Sequence, residues 1–132
     1  MNDRFADTNV LLYLTSKEIV KARVAERLLG EGLVISVQVM NEFANAGRRK
    51  IGLSWAEIHE MLDTISAIST VVPLTLAIHW RGLAIAERYL LATYDAMIVA
   101  AALEAGCNTL FSEDMQHGQM IEGRLRIANP FV

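Results

Sequence analysis

Four acidic residues of this sequence stand in surroundings that suit chemistry better than a solvated surface does. Asp7 and Asp114 each follow a short apolar segment that predicts a strand. Glu42 lies one turn into the helix predicted after the second strand, and Asp95 opens a helix that is apolar almost all round. The carboxyl ends of parallel strands meet at one edge of a sheet. We therefore expect these carboxylates to converge.

Converging carboxylates repel one another and favour a bound cation. With one cysteine and no histidine pair at ligand spacing, the available donors are oxygens, which favours Mg²⁺ or Mn²⁺ over zinc. Such an ion neutralises phosphate oxygens and activates a water for in-line attack. Taken singly, Asp7 and Asp95 are better explained as helix N-caps. Taken together, the residues predict a metal-dependent phosphodiesterase or phosphatase.

Short strands and amphipathic helices alternate along the chain and would position these acids. Apolar runs predict strands at 4–6, 33–37, 70–74, 108–112 and 125–127. Helical periodicity predicts helices beginning at 7–9 and over 17–29, 39–47, 54–69, 75–89 and 94–105. This alternation predicts an α/β fold with a parallel sheet covered by helices on both faces.

Composition limits the classes of protein that remain. The 132 residues predict a single domain over 1–132. A 53% hydrophobic content and a mean hydropathy of +0.31 predict apolar surface that meets a partner. The longest run without charged residues, 64–80, is too short and polar for a membrane span, and we predict no signal peptide. The single Cys107 fits a reducing cytoplasm, and a net charge of −3 argues against a globally basic nucleic-acid binder.

Several motifs carry a family resemblance that spans the chain. They are the Asp-Thr-Asn of 7–9, the Asn-Glu-Phe of 41–43, the helix Tyr-Asp-Ala-Met-Ile-Val-Ala-Ala-Ala of 94–102 and the Ser-Glu-Asp-Met of 112–115. In order and spacing they resemble those of PIN-domain ribonucleases, most closely the VapC toxins of bacterial toxin–antitoxin pairs. The resemblance implies a three-layer α/β fold with about five mostly parallel strands flanked by helices. It also implies an acidic pocket that binds one or two ions of Mg²⁺ or Mn²⁺.

The resemblance also assigns roles by position. It implies that the catalytic, metal-binding acids are Asp7, Glu42, Asp95 and Asp114. The polar residues that would support them are Thr8, Asn9 and Ser112, with Glu113 ranked below Asp114 because neighbouring residues at a strand end point apart. Relatives often carry a glycine-containing turn before the Asp95 helix, where this chain has 88–93 without glycine.

Function and partners follow from the resemblance as expectations. It implies a cytoplasmic endoribonuclease that hydrolyses RNA, with a transfer or ribosomal RNA as substrate. It further implies a homodimer neutralised by a cognate VapB-type antitoxin, and no membrane association. Arg48, Arg49 and Lys50 could hold the RNA backbone, although cations at a helix C-terminus are explained equally well by the helix dipole.

Other readings remain open. A catalytically weak or inactive PIN-like interaction module would need no convergence of acids. A receiver domain also has an acidic Mg²⁺ pocket, but it requires adjacent N-terminal acids and a lysine after the final strands, and both are missing here.

Among the other reactive or aromatic side chains, His117 is an outside candidate for substrate contact because it lies three residues after Asp114. We interpret His59 and His79 as structural, Trp55 and Trp80 as core or interface aromatics, and Cys107 as a small buried hydrophobe.

Overall fold

A computed structural model describes residues 3–132 as a mixed sheet flanked by helices. The strands are β1 (Arg4–Ala6), β2 (Val34–Ser36), β3 (Thr70–Val72), β4 (Thr109–Phe111), β5 (Met120–Ile121) and β6 (Leu125–Ala128). The helices are α1 (Thr8–Leu12), α2 (Ile19–Glu31), α3 (Val37–Ala46), α4 (Trp55–Ile68), α5 (Leu76–Tyr89) and α6 (Thr93–Glu104). A 3₁₀ turn (Tyr13–Thr15) follows α1, and a π-helical turn (Gly47–Ile51) follows α3.

The sheet has the strand order β3-β2-β1-β4-β6-β5, and every neighbouring pair is parallel except β5 with β6. The predicted α/β fold with mostly parallel strands is confirmed. The sixth strand, β5, was not predicted. It is two residues long, which is too short to show the alternation of apolar and polar residues that predicts a strand. A tight turn at Glu122 and Gly123, with positive φ values of 54° and 64°, connects it to β6.

The centre of the sheet joins the two ends of the sequence. On β1, Phe5 lies opposite Val34 of β2 on one side and Leu110 of β4 on the other. Leu110 in turn lies opposite Ile127 of β6, and Phe5, Leu110 and Ile127 have no exposed surface. The predicted ligand edge, where these strands end, is therefore built by contacts between residues about a hundred positions apart.

Helix α6 is buried on nearly every side, as its uniform apolarity predicts. Residues 96–103 of this helix are all buried. Helix α5 packs closely against α6 because Gly82 of α5 has no side chain. A Cβ atom placed on Gly82 would lie 2.5 Å from the Met97 sulfur and 3.3 Å from the Met97 Cα. Asp95, in the first turn of α6, is thus attached to a rigid part of the core.

We expect two glycine-to-alanine substitutions to change stability in opposite directions. Gly82→Ala should lower the free energy of unfolding by about 1–2 kcal/mol, because overpacking against Met97 outweighs the gain in helix propensity. Gly30→Ala, in α2 with no atom within 4 Å of the added Cβ, should raise it by about 0.5–1 kcal/mol. Urea unfolding measures both; stabilisation by both variants would contradict the close packing of α5 on α6.

The structure tests the predicted burial of several individual side chains. Cys107 is buried, as predicted. Trp55 and Trp80 are 59% and 61% exposed, which excludes the core and leaves the interface alternative of the prediction. Leu90, in the glycine-free segment before α6, ends α5 in the left-handed conformation, with φ 58°, a conformation that favours glycine. Among residues 3–132, no helix is both long enough and apolar enough to cross a membrane.

Candidate active site

All four predicted acids line one pocket at the carboxyl edge of the parallel strands. The cavity has a volume of about 560 Å³. Its lining consists of Asp7, Thr8, Asn9, Leu12, Glu42, Asn45, Ala46, Arg49, Lys50, Asp95 and Asp114. We call this cavity the acid pocket. It contains all four of the carboxylates singled out from the sequence and two of the three cations.

Each acid is delivered by a different element. Asp7 directly follows β1 and caps α1, and its extended backbone (φ −73°, ψ 158°) turns the chain from strand to helix. Glu42 lies on α3, which begins as β2 ends. Asp95 lies in the first turn of α6, and Asp114 follows β4 by three residues. Strand ends and helix starts therefore share one edge, as the topology requires.

Asp7 is held by three hydrogen bonds. Its Oδ1 accepts from the backbone N–H of Thr8 at 2.7 Å, and its Oδ2 accepts from Asn9 Nδ2 at 3.0 Å and from the Ser112 hydroxyl at 2.9 Å. The residue is only 3% exposed. Its carboxylate therefore has one orientation, fixed before any ligand binds.

Burial raises the pKa of Asp7 from its ordinary value of 3.8 to about 6. Desolvation of the charged form is the main cause and outweighs the hydrogen bonds from Ser112 and Thr8, while the charges of Asp95 and Glu42 raise the pKa further. The pKa of Asp95 is also raised, first by burial and then by the charge of Asp114. The pocket therefore concentrates negative charge that a cation would relieve.

The donor set of the acid pocket fits a magnesium or manganese ion that keeps part of its water. Its carboxylate and amide donors are oxygen ligands that hard dications prefer. No group of three His, Cys, Asp or Glu side chains among residues 3–132 is arranged closely enough to hold an ion directly. Mg²⁺ is usually bound by one or two carboxylates and several waters, and a pocket of this volume has room for them.

Asn9 joins the two strand ends that carry Asp7 and Asp114. Its Nδ2 donates to Asp7 Oδ2 and, at 3.2 Å, to Asp114 Oδ2, and it lies 3.4 Å from Ser112 Oγ. Its Oδ1 accepts from the backbone N–H of Glu113 at 3.0 Å. The structure thus places Asn9 and Ser112 where the sequence predicted supporting residues, and it gives Asn9 the larger number of contacts.

Glu113 points out of the acid pocket. Its carboxylate accepts from the Tyr13 hydroxyl at 2.5 Å and pairs with Lys21 Nζ at 2.7 Å. These partners hold the pKa of Glu113 below its usual range. Glu113 therefore anchors the loop after β4 to α2, and Asp114 alone of the two acids faces the pocket.

The predicted cationic patch is divided by the π-helical turn. Arg49 and Lys50 line the acid pocket, whereas Arg48 donates to the Leu53 carbonyl and lies over the Trp55 ring, 4.6 Å from its centre. Close packing of Gly47 on Ile58 fixes the start of this turn, since an added Cβ would lie 2.6 Å from Ile58 Cδ1. Arg48 is therefore not brought to the acids.

Two further polar residues complete the description of the site. Gln38 Nε2 donates to Glu42 Oε2 at 2.8 Å, and the Thr8 hydroxyl lies 3.4 Å from Glu42 Oε1. Sequence reasoning missed Gln38, although its spacing of four residues from Glu42 on a helix was a usable signal. His117 does not line the pocket; its Nδ1 accepts from the Asn129 backbone N–H at 2.9 Å.

Comparison with known proteins agrees with this geometry. The family model described as the PIN domain matches residues 4–120, which is most of the chain. The chain belongs to the PIN-domain family. No relative was found among curated protein sequences.

Solved structures resemble this PIN domain at low sequence identity. A toxin–antitoxin complex from Klebsiella pneumoniae superposes with a TM-score of 0.73 at 20% identity, covering 96% of this chain and 97% of the other. FitAcB from Neisseria gonorrhoeae gives 0.70 at 18% identity, covering 97% and 98%. Mycobacterium tuberculosis VapC20, described as a Sarcin-Ricin loop cleaving toxin, gives 0.69 at 17% identity, covering 84% and 89%. These likenesses establish the fold.

The raised pKa of Asp7 predicts that this PIN domain, kept free of metal, becomes more stable as the pH falls from about 7.5 to about 5. The folded protein binds the Asp7 proton more tightly than the unfolded chain does, so protonation favours folding in the window between about 3.8 and 6. We expect a gain of about 1.4 kcal/mol at pH 5. Thermal unfolding in EDTA across this range measures it. An unchanged or decreasing stability would contradict the burial of a charged Asp7.

Proposed function

We propose that the protein is a metal-dependent endoribonuclease that acts as the toxin of a toxin–antitoxin pair. The observation that carries the proposal is the acid pocket of a PIN domain, in which four carboxylates from distant parts of the chain share one cavity with Arg49 and Lys50. Carboxylates alone would repel RNA. Together with cations they can bind both a dication and the phosphates of a nucleic acid.

The residues that would hold Mg²⁺ or Mn²⁺ are Asp7, Glu42, Asp95 and Asp114, one or two of them directly and the others through waters of the ion. When bound, the ion neutralises phosphate oxygens and supplies an activated water as the nucleophile. Asp7 offers a carboxylate that Thr8, Asn9 and Ser112 have already oriented. Gln38 keeps Glu42 turned to the pocket by occupying its Oε2.

Arg49 and Lys50 have a separate role in this proposal. They are exposed cations that line the same pocket as the four acids. Their positive charge would attract the RNA backbone on either side of the scissile bond. Arg48 is occupied by Leu53 and Trp55, so we assign it no direct contact with RNA at the site.

The proposed partners are an antitoxin of the VapB type and a second copy of the chain. Two of the similar structures are described as VapBC complexes bound to DNA, one from Rickettsia felis and one from Salmonella typhimurium. Large apolar side chains of this chain stand exposed and offer surface for such partners: Ile19, Val20, Trp55, Leu76, Trp80 and Leu83. We place the protein's action in the cytoplasm, on a transfer or ribosomal RNA.

Cleavage of cellular RNA by the purified protein tests the proposal. We expect cleavage in Mg²⁺ or Mn²⁺, none in EDTA, and products with 5′-phosphate and 3′-hydroxyl ends, because a water and not the sugar 2′-hydroxyl attacks phosphorus. Sequencing of the cleaved 5′ ends identifies the RNA and the site.

Matched carboxylate variants separate the pocket from surface charge. Asp95→Asn removes an acid of the pocket, whereas Asp63→Asn removes an exposed acid of α4 that lies outside it. We expect the first to lose activity and the second to keep it. Products with 2′,3′-cyclic phosphate ends would contradict the mechanism, and absence of any metal-dependent cleavage would favour an inactive interaction module.

A further inference from the structure

A second cavity of about 390 Å³ opens beside the acid pocket. The two cavities share Asn9, Leu12 and Asp114, so one leads into the other. The remaining lining residues of the second cavity are Tyr13, Thr15, Ser16, Ile51 and Glu113. We call it the side cavity. Of its lining residues, the proposed metal site uses only Asp114.

The walls of the side cavity combine apolar surface with hydroxyl groups. Leu12, the Tyr13 ring and Ile51 supply the apolar part, and Ile51 is 42% exposed with no core role. The Ser16 oxygen accepts from the Glu18 backbone N–H, which leaves its proton free to donate. The Thr15 hydroxyl donates to the Leu12 carbonyl, which leaves its oxygen free to accept. A flat ring with polar edges matches such walls.

The one carboxylate special to the side cavity is already neutralised. Glu113 is paired with Lys21 and hydrogen-bonded to Tyr13, and the Lys21 ammonium lies 4.8 Å from the centre of the Tyr13 ring. A negatively charged strand passing this wall therefore meets less repulsion than it would beside a free carboxylate. Asp114, which both cavities share, is not part of this ion pair, so the reduced repulsion applies to the Glu113 wall alone.

We propose that the side cavity binds one unpaired base of the RNA, next to the scissile phosphate. This inference rests on the proposed function. Arg49 and Lys50 face the acid pocket, and the next residue, Ile51, faces the side cavity, so a single turn presents phosphate-binding cations and an apolar contact side by side. Unpaired bases bind proteins by contact of their faces with such side chains, and their edges take hydrogen bonds. The shared opening favours a base of the same strand over a side chain of a protein partner.

Binding of single-stranded RNA in EDTA tests the inference without requiring cleavage. The probe is a fluorescein-labelled RNA of randomised sequence, about 12 nucleotides long, followed by anisotropy. Ile51→Ala should weaken binding about three- to tenfold and leave the slope of log K against log salt unchanged, since an apolar contact releases no counterions. The control Ile68→Ala removes another exposed isoleucine, 52% exposed at the end of α4 and outside both cavities, and should leave binding unchanged.

An abasic RNA of the same length shows whether bases are bound. Wild type and Ile51→Ala should bind this probe equally and more weakly than wild type binds the base-containing RNA. Equal losses with both probes, or no loss with either, would overturn the inference and leave the side cavity to a protein segment. Base-dependent binding without any Mn²⁺-dependent cleavage would overturn the nuclease proposal alone. Cleavage together with RNA binding that Ile51→Ala does not change would overturn the base site alone.

Discussion

Asp7→Asn is expected to abolish metal-dependent RNA cleavage and, at the same time, to raise the melting temperature of the metal-free protein. Asp7 is the most buried of the acids, and it is held in one orientation by Thr8, Asn9 and Ser112. Its loss should cost at least about a hundredfold in rate, which is typical of a preorganised charged group at a reaction centre.

The gain in stability has a separate cause. A pKa raised from 3.8 to about 6 corresponds to about 3 kcal/mol that the folded protein loses at neutral pH by burying the charge. Asparagine removes that charge and keeps the bond from the Thr8 N–H, but it gives up the Oδ2 acceptor for Asn9 and Ser112, at a total cost of about 1–2 kcal/mol. The net gain of about 1–2 kcal/mol should raise the melting temperature by about 3–7 °C.

Calorimetry in EDTA and cleavage assays in Mn²⁺ measure the two effects on one preparation. The pH dependence of stability between about pH 7.5 and pH 5 should also shrink in Asp7→Asn, because the Asp7 carboxyl no longer titrates and only the contribution of Asp95 remains. The exposed control Asp63→Asn should change neither property. A variant that is both inactive and less stable would show that Asp7 supports the fold. The loss of activity would then be explained by unfolding and would not assign Asp7 to the reaction.

Asn9→Asp is expected to destabilise the metal-free protein strongly at neutral pH. The substitution keeps the shape of the side chain and the acceptor for the Glu113 N–H, but it replaces a donor that serves Asp7 and Asp114 with a carboxylate. The new carboxylate at position 9 would be partly buried beside the carboxylates of Asp7 and Asp114, with no N–H group to donate to either of them. We expect a loss of about 2–4 kcal/mol.

The recovery conditions identify the cause of that loss. Lowering the pH toward about 5 protonates the crowded carboxylates, and Mn²⁺ neutralises them, so both should restore much of the melting temperature. Asn108→Asp is a matched control, because Asn108 Nδ2 donates to Asp3 Oδ2 at 3.0 Å on the exposed surface. That variant should lose no more than about 1 kcal/mol. Equal losses in the two variants would contradict a special role for the pocket.

The elements that carry the acids could be predicted from sequence because each has a strong local pattern. Uniform apolarity identified α6, and Ser54 with Glu57 forms a capping box that starts α4 at the predicted place. The alternation of strands and helices then required Asp7 and Asp114 to meet at one sheet edge. Glu42 was singled out by its place one turn into the helix after the second strand, and the family resemblance added its metal-binding role.

Other features depend on contacts that no local pattern records. The π-helical turn arises where Gly47 packs on Ile58, and it separates Arg48 from Arg49 and Lys50. The direction of Glu113 depends on Tyr13 and Lys21, which lie about a hundred residues away in the chain. Such long-range partners decide which of two adjacent acids faces a pocket, and spacing alone does not reveal them.

The pairing of β1 with β4 at the centre of the sheet has a consequence during synthesis on the ribosome. The ribosome makes Asp7 early and Asp114 late, and β1 has only β2 as a neighbour until β4 emerges. A nascent chain can therefore hold parts of the acid pocket but not the whole of it. If the pocket cuts RNA as proposed, a nascent chain that still lacks β4 and Asp114 has no complete site with which to cut it.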